Sequence, residues 1–93
     1  MRMTTNSAWI KVEPARMDHI LRQEALDELS GTGELVLDFS CVPRIDVSVL
    51  KGLEELAGRA GEKSVKIALR AVNPGVYKVL KLAKLSSRFS FLE

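Results

Sequence analysis

The chain is short of the residues that most often carry chemistry. Its 93 residues include one cysteine, Cys41, and one histidine, His19. One thiol cannot close an intrachain disulfide or build a cysteine-based zinc site. A lone thiol suits a reducing compartment, and a cytoplasmic location is the expectation. One histidine argues against a His-rich metal centre and against a Cys-His-Asp triad, so neither a metal nor another cofactor is expected. No apolar run approaches the roughly 18–20 residues that cross a bilayer, so direct membrane insertion is not expected. Residues Met1 to Trp9 are polar and lack the apolar stretch of a signal peptide. An excess of one charge is also missing. Fourteen basic residues face twelve acidic ones, for a net charge of +2, which is too balanced to indicate a nucleic-acid partner. Phosphate-binding glycine loops of the Gly-x-Gly-x-x-Gly or Walker type are lacking, and Gly31-x-Gly33 lies between a helix and a strand, the wrong order for a cradle.

What is present is an ordinary globular mix, 46% hydrophobic and 28% charged. The length predicts one domain over residues 1–93 with a modest core. Trp9-Ile10-Lys11-Val12 reads as a strand that stops at Glu13-Pro14, because proline cannot donate to a ladder. Residues Arg2 to Ser7 read equally as an edge strand or a tail. Met17 to Leu29 reads as a helix with Met17, Ile20, Leu21, Ala25 and Leu29 on its apolar side, broken by Ser30-Gly31-Thr32-Gly33 with a glycine as left-handed cap. Glu34 to Phe39 is a nearly continuous apolar run, the pattern of a central strand covered on both faces. Ser40 to Arg44 is a loop.

Asp46 to Ala60 gives the clearest helical period. At about 100° per residue, Val49, Leu50, Leu53, Leu56, Ala57 and Ala60 fall in a sector of roughly 120°. Ser48, Lys51, Gly52, Glu55 and Arg59 fall on the other side. Asp46 is a natural N-cap, and Gly61 is expected to end the helix. Ser64 to Leu69 alternates as a strand, and Asn73-Pro74 opens a third helix, with asparagine as cap and proline preset at the first position. Val76, Val79, Leu80 and Ala83 form its apolar side. Lys78, Lys81 and Lys84 make a basic stripe that reads as a solvated face. Phe89 to Leu92 is a last short strand. The alternating order predicts an α/β domain with a mixed, mostly parallel central sheet of about four strands and three main helices.

In such sheets functional groups gather beyond the carboxyl ends of strands. Asp38 and Ser40 end the second strand, and Asp46 and Ser48 open the next helix. Each has an ordinary reading: Asp38 as turn former, Asp46 as cap, Ser48 as first-turn serine. Two carboxylates could do acid–base work, but no nucleophile with a base beside it can be named, so catalysis is not expected. Gly52, inside a helix, costs about 1 kcal/mol relative to alanine. Close approach of a partner is one explanation, and drift at an exposed site is the other.

The stretch Leu35-Val36-Leu37-Asp38-Phe39-Ser40-x-Val42-Pro43-x-Ile45-Asp46-Val47-Ser48-x-Leu50 resembles the central signature of STAS domains, which include the bacterial anti-sigma factor antagonists. That signature is an apolar strand ending in Asp-Leu-Ser, a short loop, then Asp-Ser-Ser-Gly opening a helix with a leucine soon after. Val65-x-Ile67-x-Leu69, Val72-Asn73-Pro74-x-Val76, Leu80 and Leu85 resemble the next strand and third helix. The resemblance spans about residues 34–92. It implies that Ser48 matches the serine that a kinase-type anti-sigma factor phosphorylates, while Asp38 and Asp46 match the acidic residues around it. Val47 stands where the family has its first serine, and Val49 where it has glycine.

The resemblance implies a STAS module that binds a regulatory protein and acts in bacterial transcription control, with Ser48 phosphorylated by a serine kinase that is also the anti-sigma factor. The partner surface would comprise Asp38, Ser40, Asp46, Ser48, Lys51, Gly52, Glu55 and Arg59. A second reading is a STAS subunit of an ABC-type lipid transport complex, bound to its ATPase subunit. A third is a small-molecule or nucleotide sensor at the strand ends.

Overall fold

The computed structural model describes residues 7–92. Strand β1 is Ser7–Lys11, β2 Glu34–Asp38, β3 Lys66–Arg70 and β4 Ser90–Leu92. They form one sheet in the order β1-β2-β3-β4, and all three pairings are parallel. The expected fold class is therefore the observed one, with a wholly parallel sheet among the described residues. Of the stretch left open between strand and tail, Ser7 begins β1, and the residues before it lie outside the described ones.

Parallel neighbours in sequential order each need a crossover. The right-handed crossover places successive helices on the same face of the sheet. The core reflects this. Leu35, Leu37, Ile67 and Leu69, at alternate strand positions, join residues of every helix in one cluster, while Val36 and Ala68 are buried outside it. Thus β2 is covered on both faces, as its continuous apolar run predicted.

Helix α1 covers residues 17–28. It joins an α-helical turn, Met17–His19, to a π-helical segment, Ile20–Glu24, and a closing turn, Ala25–Glu28. Its predicted apolar stripe, Met17, Ile20, Leu21, Ala25 and Leu29, is buried. The glycine cap expected after it does not form: no described glycine has a positive φ.

Helix α2 is Val47–Glu62 and helix α3 is Pro74–Leu82. Their amino ends are capped as the sequence predicts. The Asp46 side chain accepts from the Val49 N–H, and the Asn73 side chain accepts from the Val76 N–H. Gly61 does not stop α2. The helix runs on to Glu62 and closes with Ser64 at φ 58°. There the Val65 N–H donates to the Ala60 carbonyl and the Ser64 N–H to the Gly61 carbonyl, the paired bonds of a left-handed helix terminus. Helix α3 ends the same way on Lys84, φ 62°. No helix among the described residues is long and apolar enough to cross a membrane.

A side chain in the left-handed region strains against the following carbonyl. Ser64→Gly is expected to stabilise the protein by about 0.5–1 kcal/mol. A higher urea midpoint at unchanged slope would show it; an unchanged or lower midpoint would mean that the serine is not strained there.

Candidate functional site

The register aligns Lys11, Asp38, Arg70 and Leu92 across the carboxyl end of the sheet. Asp38 thus sits between two cations. Arg70 Nη1 is 3.6 Å from its Oδ1, and the same oxygen accepts the Ser40 N–H at 2.9 Å. That N–H, above all, holds the Asp38 carboxyl below its usual range. The Ser40 hydroxyl, Arg70 and Lys11 act in the same direction, while partial burial opposes them. The Arg70 guanidinium also lies 6.0 Å from the ring centre of Trp9, the exposed aromatic of β1.

Between Asp38 and Asp46 the chain is held down at several points. Phe39 and Val42 are buried. The Phe39 N–H donates to the Arg70 carbonyl, and the Val42 N–H to that of Phe39. Asn73 does more than cap α3. Its Nδ2 donates to the carbonyls of Val42 at 3.2 Å and Pro43 at 3.0 Å, so one side chain starts a helix and fastens the loop that leads into α2. Ser40, Cys41, Pro43 and Arg44 are left exposed.

Asp46 then starts α2, and Ser48, its second residue, is exposed. Lys51, Glu55 and Arg59 are exposed farther along the helix, as the helical period predicted. Gly52 differs. It is buried, and a Cβ on it would lie 3.7 Å from Leu21 of α1. The glycine lies where two helices of this chain meet, and not on the exposed side of α2 where the helical period put it. The wheel misplaced it because α1 covers a wider arc of α2 than the large apolar residues mark.

Two residues near these groups were not legible as site residues. Arg70 could have been found by aligning the strand ends, since Leu37-Asp38 and Leu69-Arg70 occupy equivalent positions. Arg22 of α1 reaches α2, where its guanidinium donates to the Glu55 carboxylate and the Ser48 carbonyl; no local pattern announces a pair so distant in sequence. A separate open cavity of about 590 Å³ lies by the ends of β3 and β4, lined by Ala71, Val72, Pro74, Tyr77, Phe91 and Leu92. Its walls are apolar apart from the tyrosine hydroxyl and backbone, which does not suit a nucleotide phosphate.

Residues 15–92 match the family model described as Mlab, STAS domain. Among solved structures, the chain is similar to a crystal structure of TM1081 from Thermotoga maritima, a proposed anti-sigma factor antagonist. The TM-score is 0.72 at 22% identity, covering 92% of this chain and 73% of that one. An NMR structure of TM1081 gives a TM-score of 0.74 at 18% identity, covering 99% and 78%. At these identities the likeness is one of fold. No curated protein matches the chain.

Two expectations follow from the geometry. Asn73→Ala removes a cap and a loop tether together and should cost about 1–2 kcal/mol in chemical unfolding. Asn73→Asp keeps the cap but turns a carboxylate towards two carbonyl oxygens. It should be no more stable than the alanine variant, and full wild-type stability in the aspartate variant would mean that the tether contributes nothing. For Asp38, a lowered folded pKa contributes stability that is present above the unfolded value, about 3.9, and lost as pH falls through the folded value. Asp38→Asn should therefore flatten the acid limb of the stability curve, and parallel curves below pH 4 would contradict the assignment.

Proposed function

The chain belongs to the STAS domain family, and from that premise we propose that it is a protein-binding module, without catalytic activity of its own, whose contact surface is centred on the amino end of α2. The observation that carries this reading is the setting of Ser48. Ser48 is exposed at the second position of a capped helix, with Lys51, Glu55 and Arg59 exposed farther along. Asp38, Ser40 and Asp46 shape the loop that delivers it. In this reading Ser48 is the phosphorylation site, and the partner is a regulatory protein that is both serine kinase and anti-sigma factor, as in the antagonist branch of the family.

The switch is electrostatic. A phosphate adds about −1.5 to −2 charge at neutral pH. Near the start of a helix that charge meets free backbone amides and the positive end of the dipole, so the fold tolerates it. A partner fitted to the neutral hydroxyl meets a new anion in its interface. Like-charge contact of this kind costs several kcal/mol, enough to release the partner without a change of fold.

One observation favours a second reading. Val47, where the family signature has a serine, is 65% exposed beside Ser48. An apolar side chain at the tip of α2 suits a permanent interface, as in a STAS subunit held on the ATPase of a lipid transporter.

Capture of partners with wild type, Ser48→Asp and Val47→Asp separates the two. The switch reading expects a kinase-like anti-sigma factor bound to wild type and lost by at least about 100-fold with Ser48→Asp. A transporter ATPase retained by Ser48→Asp and lost with Val47→Asp would replace it with the second reading.

A further inference from the structure

Arg22 projects from the π-helical segment of α1 towards α2. Its Nε donates to Asp18 Oδ1 at 2.8 Å, one Nη to Glu55 Oε1 at 3.3 Å, and the other Nη to the Ser48 carbonyl at 3.3 Å. The guanidinium therefore already rests on the residue read above as the phosphate acceptor. Its base is fixed. The preceding residue, Leu21, is buried and faces Gly52 of α2. Its tip is exchangeable. The Asp18 and Glu55 side chains are 70% and 52% exposed, and ion pairs so open to water hold weakly. A phosphate dianion offers the guanidinium fork three strong acceptor oxygens and more charge than either carboxylate.

We propose that Arg22 is the internal receptor for a phosphate on Ser48: on phosphorylation its guanidinium leaves Glu55 and pairs with the phosphate. The inference rests on the reading of Ser48 as the modified residue and adds how the modification is registered. Phosphorylation then alters the exposed side of α2 at two places. Ser48 gains an anion held towards α1, and Glu55, two helical turns on, loses its counter-ion. A partner spanning Ser48 to Arg59 meets a changed charge pattern along that length. Lys51, three residues from Ser48 on the same helix, is the competing cation, and the test must separate the two.

The experiment installs phosphoserine at position 48 by site-specific incorporation, so no kinase is involved. The second phosphate ionisation is followed by phosphorus NMR in the otherwise wild-type protein, in Arg22→Gln and in Lys51→Gln. Pairing with Arg22 lowers that pKa from its ordinary value near 6. Arg22→Gln should raise it by about 0.5–1 unit, and Lys51→Gln by clearly less. The Arg22 Nε–H resonance should also move on phosphorylation in the wild-type background, a readout that needs no variant to fold. Equal pKa values in wild type and Arg22→Gln, or a rise confined to Lys51→Gln, overturns the proposal. A kinase that ignores Ser48 would sink the phosphorylation reading and leave the measured ion pair as it stands.

Discussion

The parallel register of the sheet is the constraint on which the rest depends. Each strand pairs with the next in the same direction, so every connection must cross back over the sheet, and each crossover contains a helix. The register assigns alternate strand residues to the core and to the opposite face. It also decides which side chains meet at the carboxyl edge. A shift of one residue in β2 would turn Leu35 and Leu37 out of the core and take Asp38 from between Lys11 and Arg70. Burial of the core and assembly of the charged edge are thus one choice made by the same strands.

From that edge the chain is passed through a few directed bonds to the helix that presents Ser48. Asp38 turns the backbone through Ser40, Asn73 holds the loop by two carbonyls, and Asp46 begins α2. The serine is exposed while its surroundings are fixed. In the proposed reading of Ser48 this combination favours binding, because little conformational freedom remains to be lost when a partner closes over it. Contacts between α1 and α2 add a second support from the other side, apolar at Leu21 and Gly52 and polar at Arg22.

The parts legible in the sequence are those governed by neighbours along the chain. The caps at Asp46 and Asn73 follow from side chains reaching amides three residues away. The covered strand at Glu34–Asp38 follows from an unbroken apolar run, and the alternation of elements led to the layered fold. The misreadings arose where tertiary packing or backbone geometry outweighed local preference. Gly61 stayed helical because the Ser64 terminus closes the helix beyond it, and Gly52 was turned inwards by α1. Arg22 with Glu55 and Asp38 with Arg70 are pairs made by the fold itself, 33 and 32 residues apart in sequence. Their residues are ordinary surface charges until the strands and helices are placed.

The double use of Asn73 has a consequence for local opening. Its Oδ1 accepts from the Val76 N–H in the first turn of α3, while its Nδ2 donates to the carbonyls of Val42 and Pro43. Proteins open locally in cooperative units, and one side chain shared by two segments couples them. Fraying of the first turn of α3 therefore loosens the loop before α2 as well, so the two segments open as one.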